Sequence, residues 1–159
     1  MEKKQLDNIC TEITEAVYPF LMKNKYPFFD IEPEGSYAKG TMLDEASDID
    51  LFIRLDLSME ETKFKELVEK LSSYLVQQGY EVRMKYASHP YLTVLVRGVE
   101  VDIVPAYKID DISQMKSAVD RTPLHTKVIN ENLKEKDKKE VKKLKRFLKN
   151  IICMEQVNL

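Results

Sequence analysis

From Asp48 to Leu55 the chain alternates, with Ile49, Leu51 and Ile53 on one side and Asp48 and Asp50 on the other. A period of two predicts a β-strand from Ser47 to Leu55 with one buried face. It also sets both carboxylates on the opposite face, ~7 Å apart along the backbone. Two acids this close repel at neutral pH unless a cation neutralises them or one keeps its proton. A second apolar run, Val99 to Pro105, holds Asp102 between Val101 and Ile103. If the two strands are neighbours, three carboxylates converge, and the fold must bring them there.

The remaining periodicities supply the frame. Leu6, Ile9, Ile13, Val17 and Phe20-Leu21 recur at helical spacing, predicting an amphipathic helix that ends before Pro27. Ser58-Met59-Glu60-Glu61 has the form of a capping box, and Phe64, Leu67, Val68, Leu71 and Leu75 continue to a stop at Gly79, predicting a helix over about 59–78. Tyr80–Tyr86 and Tyr91–Val96 are β-rich, and Arg97-Gly98 is a tight-turn pair that leads into Val99–Pro105. Thr122-Pro123 reads as an N-cap with proline at the first helical position, with Leu124, Val128 and Ile129 on the apolar side. Val141, Leu144, Leu148 and Ile151 mark a last helix with these residues turned inward. Together these elements predict an α+β fold with a mixed or antiparallel sheet flanked by helices. We expect a catalytic core over 1–110, completed by C-terminal helices over 111–159 packed as one unit with it.

At 159 residues and 43% apolar content the chain encloses one core. A net charge of −2 excludes a globally basic nucleic-acid binder, so any attraction for a polyanion must be local. No apolar run approaches the ~20 residues of a membrane span, and the N-terminus lacks a signal-peptide core, so a cytoplasmic protein is expected. Cys10 and Cys153 lack metal-ligand spacing and are given no function.

Three carboxylates suit Mg²⁺ or Mn²⁺, which take oxygen ligands and leave positions for water and phosphate. Two such ions about 4 Å apart would bind the attacking and leaving oxygens of an in-line phosphoryl displacement. Gly35-Ser36, ahead of the acidic strand, offers close backbone approach and a hydroxyl donor for a triphosphate. An Asp-x-Asp alone is more often a solvated pair, but its conjunction with Gly-Ser and a third strand aspartate points to nucleotidyl transfer. Lys138, Lys142, Lys145 and Lys149 recur four, three and four residues apart, and 134–149 carries nine basic residues against three acidic. This stripe is a candidate phosphate track for RNA, although a charged helix face is commonly just solvated. Tyr86, Tyr91 and Tyr107 are candidates for base stacking or packing, and His89, beside Pro90, reads as a loop residue.

Gly35-Ser36-Tyr37-Ala38-Lys39-Gly40-Thr41 followed by Ser47-Asp48-Ile49-Asp50-Leu51-Phe52 resembles the DNA polymerase β-like nucleotidyltransferase superfamily. Val101–Lys108 and Ser117–His125 are similar to the catalytic half of archaeal-type (class I) tRNA CCA-adding enzymes, and the resemblance runs from about residue 5 to 152. It implies that Asp48, Asp50 and Asp102 bind two metal ions and that Ser36 and Lys39 contact the triphosphate. It further implies that Thr122, His125 and Lys145 approach the nucleotide, with ATP and CTP as substrates and a tRNA 3′ end as acceptor. Lys39 stands where the family usually has arginine, Asp48 where glutamate is common, and Met154 where relatives carry a nucleotide-contacting tyrosine. The family's tRNA-recognising domains have no counterpart in these 159 residues, which leaves two readings: a truncated piece of a longer enzyme, or, slightly favoured by the unbroken core, a natural minimal enzyme that adds nucleotides to RNA 3′ ends with relaxed choice of base and primer. Two alternatives remain: a toxin-antitoxin type enzyme modifying a protein hydroxyl, and a non-catalytic RNA-binding remnant.

Overall fold

The computed structural model describes residues 2–42, 48–86 and 89–158, with side chains as far as Ile151. In chain order the elements are α1 (Lys3–Lys23), β1 (Phe28–Glu34), α2 (Gly35–Lys39), β2 (Asp48–Leu55), α3 (Thr62–Gln77), β3 (Glu81–Tyr86), β4 (Pro90–Val96), β5 (Val99–Tyr107), α4 (Thr122–Asn132) and α5 (Glu135–Asn158). Two short 3₁₀ turns, Ile112–Gln114 and Ala118–Arg121, join β5 to α4. The strands form a five-stranded sheet in the order β1-β2-β5-β4-β3. β2 and β5 run parallel at its centre and every other pair is antiparallel. A parallel pair needs a long crossover, which α3 and the β3–β4 strands provide.

One face of the sheet is dry. Ile49, Leu51, Ile53 and Leu55 of β2 are buried with Val101, Ile103 and Tyr107 of β5 and with Leu92, Val94 and Val96 of β4. Leu6, Ile9, Ile13, Val17, Phe20 and Leu21 of α1 and Phe64, Leu67, Val68, Leu71 and Leu75 of α3 join them in one cluster. All of the α1 and α3 residues named here are those whose helical spacing predicts an inward stripe. The Arg97-Gly98 turn is confirmed: both residues have positive φ, +47° and +82°, as a two-residue turn matched to strand twist requires.

Several expectations change. α3 starts at Thr62 and no capping box forms at Ser58, because the Ser58 N–H donates instead to Asp56 Oδ1 at 2.8 Å in a local turn. Met59, within that turn, is buried, and the Tyr107 hydroxyl donates to its carbonyl. Tyr107 is therefore a packing residue and not a stacking platform. β5 runs two residues past Pro105, whereas β4 pairs with it only as far as Ile103. The missing proline N–H therefore costs no ladder bond, and the His89 ring nitrogen takes the Pro105 carbonyl. α4 begins at Thr122, one residue before the predicted start, and Val128 points to solvent while Pro123 and Thr126 are the buried positions.

The largest change concerns α5. Leu144, Phe147 and Leu148 are 57%, 61% and 48% exposed, so the predicted inward face is the outer one. Lys138, Lys142 and Lys145, with Val141, make up the half-buried side. Ser47 lies outside the described residues, as do the side chains of Cys153 and Met154.

Candidate active site

The strand pairing brings the acids together. β2 and β5 align so that Asp50 is the register partner of Asp102 and Asp48 that of Glu100. Residues opposite one another on neighbouring strands share a face, so all three predicted aspartates lie on the face away from the α1–α3 core. On the far side of β5, Thr93 pairs with Asp102, and its hydroxyl donates to Asp102 Oδ1 at 2.7 Å. On the near side of β2, Glu34 pairs with Asp50. A row of polar residues, Glu34-Asp50-Asp102-Thr93, thus crosses the sheet above an apolar layer.

Gly35 is fitted against this row. A Cβ built there would stand 2.2 Å from Asp50 Oδ2, and the residue has φ of +69°. Both facts demand glycine: the side chain would collide with the carboxylate, and the backbone is left-handed. The chain then turns directly into α2, so Gly35-Ser36 opens a short helix where the sequence suggests a plain turn. Lys39, at the end of α2, lies close enough to Asp50 to favour its charged form. From the other side Lys145 Nζ donates to Thr41 O at 3.0 Å and to Thr41 Oγ1 at 3.2 Å. Burial, then the nearby Lys39 and Lys142, push the Lys145 pKa down. Three lysines therefore gather beside α2, a cluster whose mutual repulsion an anion would relieve.

The carboxylates show the opposite strain. Burial, followed by the charges of Asp102 and Asp48, raises the Asp50 pKa to about 6. Burial also raises Asp102, with Thr93 opposing and Asp48 reinforcing. Mutual repulsion in a half-buried, all-oxygen donor set is the situation a hard divalent cation neutralises. The chemistry and placement of the three acids fit such an ion. They are not drawn into a finished cage, since no group of three Asp, Glu, His or Cys side chains among the described residues stands close enough to hold one.

Beside the acids opens a cavity of about 390 Å³, lined by Gly35, Asp50, Phe52, His89, Tyr91, Asp102, Val104, Val119 and Thr122. Its apolar wall is a second small cluster, Phe52, Val104 and Ala106, with Tyr91 and Val119 against it. A larger depression of about 580 Å³ between the end of α1 and α3 has charged residues, Lys23, Glu69 and Lys70, on helix surfaces but no converging acids, so size does not select the site. Asp120 sets the cavity's roof. It is fully buried and accepts from the backbone N–H groups of Tyr107 (2.9 Å), Lys116 (2.9 Å) and Ser117 (3.0 Å). These bonds fold the segment after β5 back over the sheet and deliver Val119 and Thr122 to the site.

Of the predicted residues, Gly35, Asp50, Asp102 and Thr122 line the cavity, Asp48 is exposed at the start of β2, and Ser36 and Lys39 lie on α2, which Gly35 opens, with Lys145 near Lys39. Lys138 turns inward as well, its Nζ donating to Asn130 Oδ1 at 3.1 Å, and Lys142 lies near Lys145. The first three lysines of the stripe therefore face the body more than open solvent. His125 and Lys149 are exposed and do not line the cavity.

Sequence reasoning missed two residues. His89 is a wall of the cavity, held by Pro105 and packed edge-on against Phe64 with ring centroids 5.6 Å apart. Glu34 is fully buried with neither carboxyl oxygen hydrogen-bonded among the described residues. Burial pushes its pKa to about 8, with the Thr126 hydroxyl opposing and Glu32 reinforcing. Arg54 does not rescue it, being engaged by Asp30 at 2.6 Å and Glu32 at 3.1 Å.

Comparison with known proteins agrees with this geometry. The chain is 48% identical over 117 residues to the CCA-adding enzyme of Methanothermobacter thermautotrophicus, covering 73% of this chain and 26% of that protein. It is 40% identical over 152 residues to the CCA-adding enzyme of Methanocaldococcus jannaschii, covering 95% and 33%. The chain thus spans about a third or less of the length of these curated relatives. A solved structure of terminal uridylyl transferase 4 from Trypanosoma brucei with bound GTP has the same fold, with a TM-score of 0.56, 11% identity and coverage of 80% of this chain and 38% of that one. The fold is α+β and polymerase β-like, as the sequence predicts. Residues 22–125 match the nucleotidyltransferase domain family, and they contain the glycine-serine opening of α2, all three aspartates and Thr122; the chain belongs to that family.

Proposed function

We propose that the protein transfers a nucleoside monophosphate from a nucleoside triphosphate to the 3′ hydroxyl of an RNA, with tRNA as the first candidate acceptor. The observation that carries this reading is the register match of Asp50 with Asp102 beside a lysine cluster, on a chain similar to CCA-adding enzymes. In the reaction the hydroxyl oxygen bonds to the α-phosphorus, the bond from that phosphorus to the bridging oxygen breaks, pyrophosphate leaves, and the hydroxyl proton is lost.

Asp48, Asp50 and Asp102 would hold two divalent ions, Mg²⁺ or Mn²⁺, which when bound supply charge neutralisation at the attacking and leaving oxygens. The chain's own residues do the positioning. Ser36 and the start of α2 receive the triphosphate, and Lys39 and Lys145 lie on the side where pyrophosphate charge would collect. Thr122, which lines the cavity at the start of α4, approaches the nucleotide, and His125, exposed one turn further on, would reach it only from outside the cavity. The apolar wall of Phe52, Val104 and Val119 lowers the polarity beside the acids, which strengthens these interactions. In this reading residues 111–159 complete a site founded on 1–110. Lys138, Lys142 and Lys149 would contact the phosphates of nucleotide or primer, and ATP and CTP are the expected substrates in a cytoplasmic setting.

The test is to incubate the protein with Mg²⁺, each triphosphate in turn, and tRNAs ending before or within CCA, and to sequence the products. Added 3′ nucleotides are expected. Label transferred to protein in place of RNA would select a protein-modifying enzyme, and no transfer under any combination would overturn the proposal.

A further inference from the structure

α2 is too short to hold its own direction. A helix of five residues lies well below the length at which helices are stable alone, so its placement comes from tertiary contacts. Its first residue, Gly35, and its cap, Gly40, are both left-handed, with φ of +69° and +70°, and neither has a side chain to pack. Asn130 Nδ2 donates to Ala38 O at 3.2 Å, but from an exposed position near the end of the helix. Tyr37 makes the inward contact. Its ring is half-buried against the core cluster, and its hydroxyl donates to Asp7 Oδ1 of α1, 30 residues away in the chain. Neither residue lines the cavity beside the acids.

Helix geometry turns that contact into aim. Successive side chains of an α-helix are about 100° apart, so Lys39, two residues after Tyr37, leaves α2 from roughly the opposite side. Ser36 and Lys39, three residues apart, are neighbours on the helix surface. A helix fastened to α1 at Tyr37 therefore presents Ser36 and Lys39 away from α1, and the Lys39 charge is felt at Asp50. We infer that Tyr37 and Asp7 are a positioning pair whose hydrogen bond sets the rotation of α2, and with it the direction in which Ser36 and Lys39 meet a nucleoside triphosphate. The identity of that ligand rests on the function proposed above. A phenylalanine would fill the same space, but only the phenol hydroxyl reaches Asp7. Without the bond the ring still packs, and the helix is free to roll between its two glycines.

The test is steady-state addition of nucleotides to an RNA 3′ end, with the Kd of a fluorescent ATP analogue measured alongside, in Tyr37→Phe, Asp7→Leu, the double variant and Asp7→Asn. Tyr37→Phe is expected to raise the triphosphate KM and the analogue's Kd about 10-fold while kcat stays within about threefold, since a misaimed helix weakens phosphate contacts already made in the bound substrate. Asp7→Leu should do the same. The double variant should be no weaker than either single one, because the two residues act through one bond, and Asp7→Asn, which keeps an acceptor oxygen, should stay within about twofold of the parent. A bond that only held the fold together would lower the unfolding midpoint and leave KM and Kd unchanged. Parent-like KM and Kd in Tyr37→Phe, effects that add in the double variant, or Asp7→Asn as weak as Asp7→Leu would overturn the inference. A parent protein that binds the analogue but transfers nothing would remove the catalytic reading alone, with the pair then judged on Kd; a parent that binds no triphosphate would overturn both.

Discussion

On β2, Ile49, Leu51, Ile53 and Leu55 are completely buried, whereas on α5 Leu144, Phe147 and Leu148 stand about half exposed. Both rows are regular and both are apolar. The difference lies in what each element has within reach. β2 is the second of five strands, with α1 and α3 across one face, so its alternation meets a partner at every position. α5 leaves α4 after Leu133 and is anchored by lysines drawn towards Thr41 and Asn130, and that polar attachment decides which side faces out. Periodicity identifies the apolar face of an element. It does not say whether the same chain covers it.

The comparison predicts unequal responses to equal truncations. Leu51→Ala should cost the most, about 4 kcal/mol, because a fully buried leucine leaves a cavity that the sheet cannot collapse; urea unfolding would measure it. A cost under about 1 kcal/mol would mean that the sheet face is not the core described here. Gly35→Ala should follow, with nucleotide transfer down about 100-fold, equivalent to roughly 2.7 kcal/mol, because the new methyl group must displace the Asp50 carboxylate. Unchanged kcat would show that the close approach is not needed.

Glu34→Gln sharpens the polar side of the same sheet. With its folded-state pKa raised to about 8, Glu34 keeps its proton in the native protein up to that pH, while the unfolded chain releases it near 4.5. Stability is therefore fully present below about pH 4.5, falls as pH rises, and levels off above about 8. Glutamine removes that slope, so the variant should be more stable than the parent at pH 9 and equal to it at pH 4. Parallel stability curves for the two proteins would refute a buried neutral carboxyl. The smallest effect is expected on α5: Leu148→Ala should change stability by no more than about 0.5 kcal/mol, since little area is lost from contact with the body.

These regions also divide what was legible in the sequence. The alternation around Asp48 and Asp50 and around Asp102 predicts both central strands and the face of each acid, because the pleat fixes side-chain direction locally. The pairing of Asp50 with Asp102 is a matter of parallel register, and only the resemblance to nucleotidyltransferases hinted at it. His89 looked like a loop residue because its partners, Pro105 and Phe64, are remote in sequence. Glu34 sits in an ordinary polar run, Asp30 to Glu34, and becomes exceptional only when α4 lays Thr126 over it. Asp120 carried a visible cue, since Ser117 three residues earlier forms a capping box with it, but its bond to Tyr107 N–H is tertiary. The failed capping box at Ser58 has the converse cause: Asp56, two residues upstream, claims the same backbone N–H first.

The most direct measurement of the central claim is single-turnover addition of one nucleotide to an RNA 3′ end by the parent protein and by Asp102→Asn, with circular dichroism and triphosphate binding followed in parallel. Asparagine keeps the size of the side chain and an acceptor for Thr93, but removes a charge from the acidic set. The three-acid site predicts a fall in rate of at least about 10³-fold with fold and triphosphate binding retained. A rate within about tenfold of the parent would contradict it.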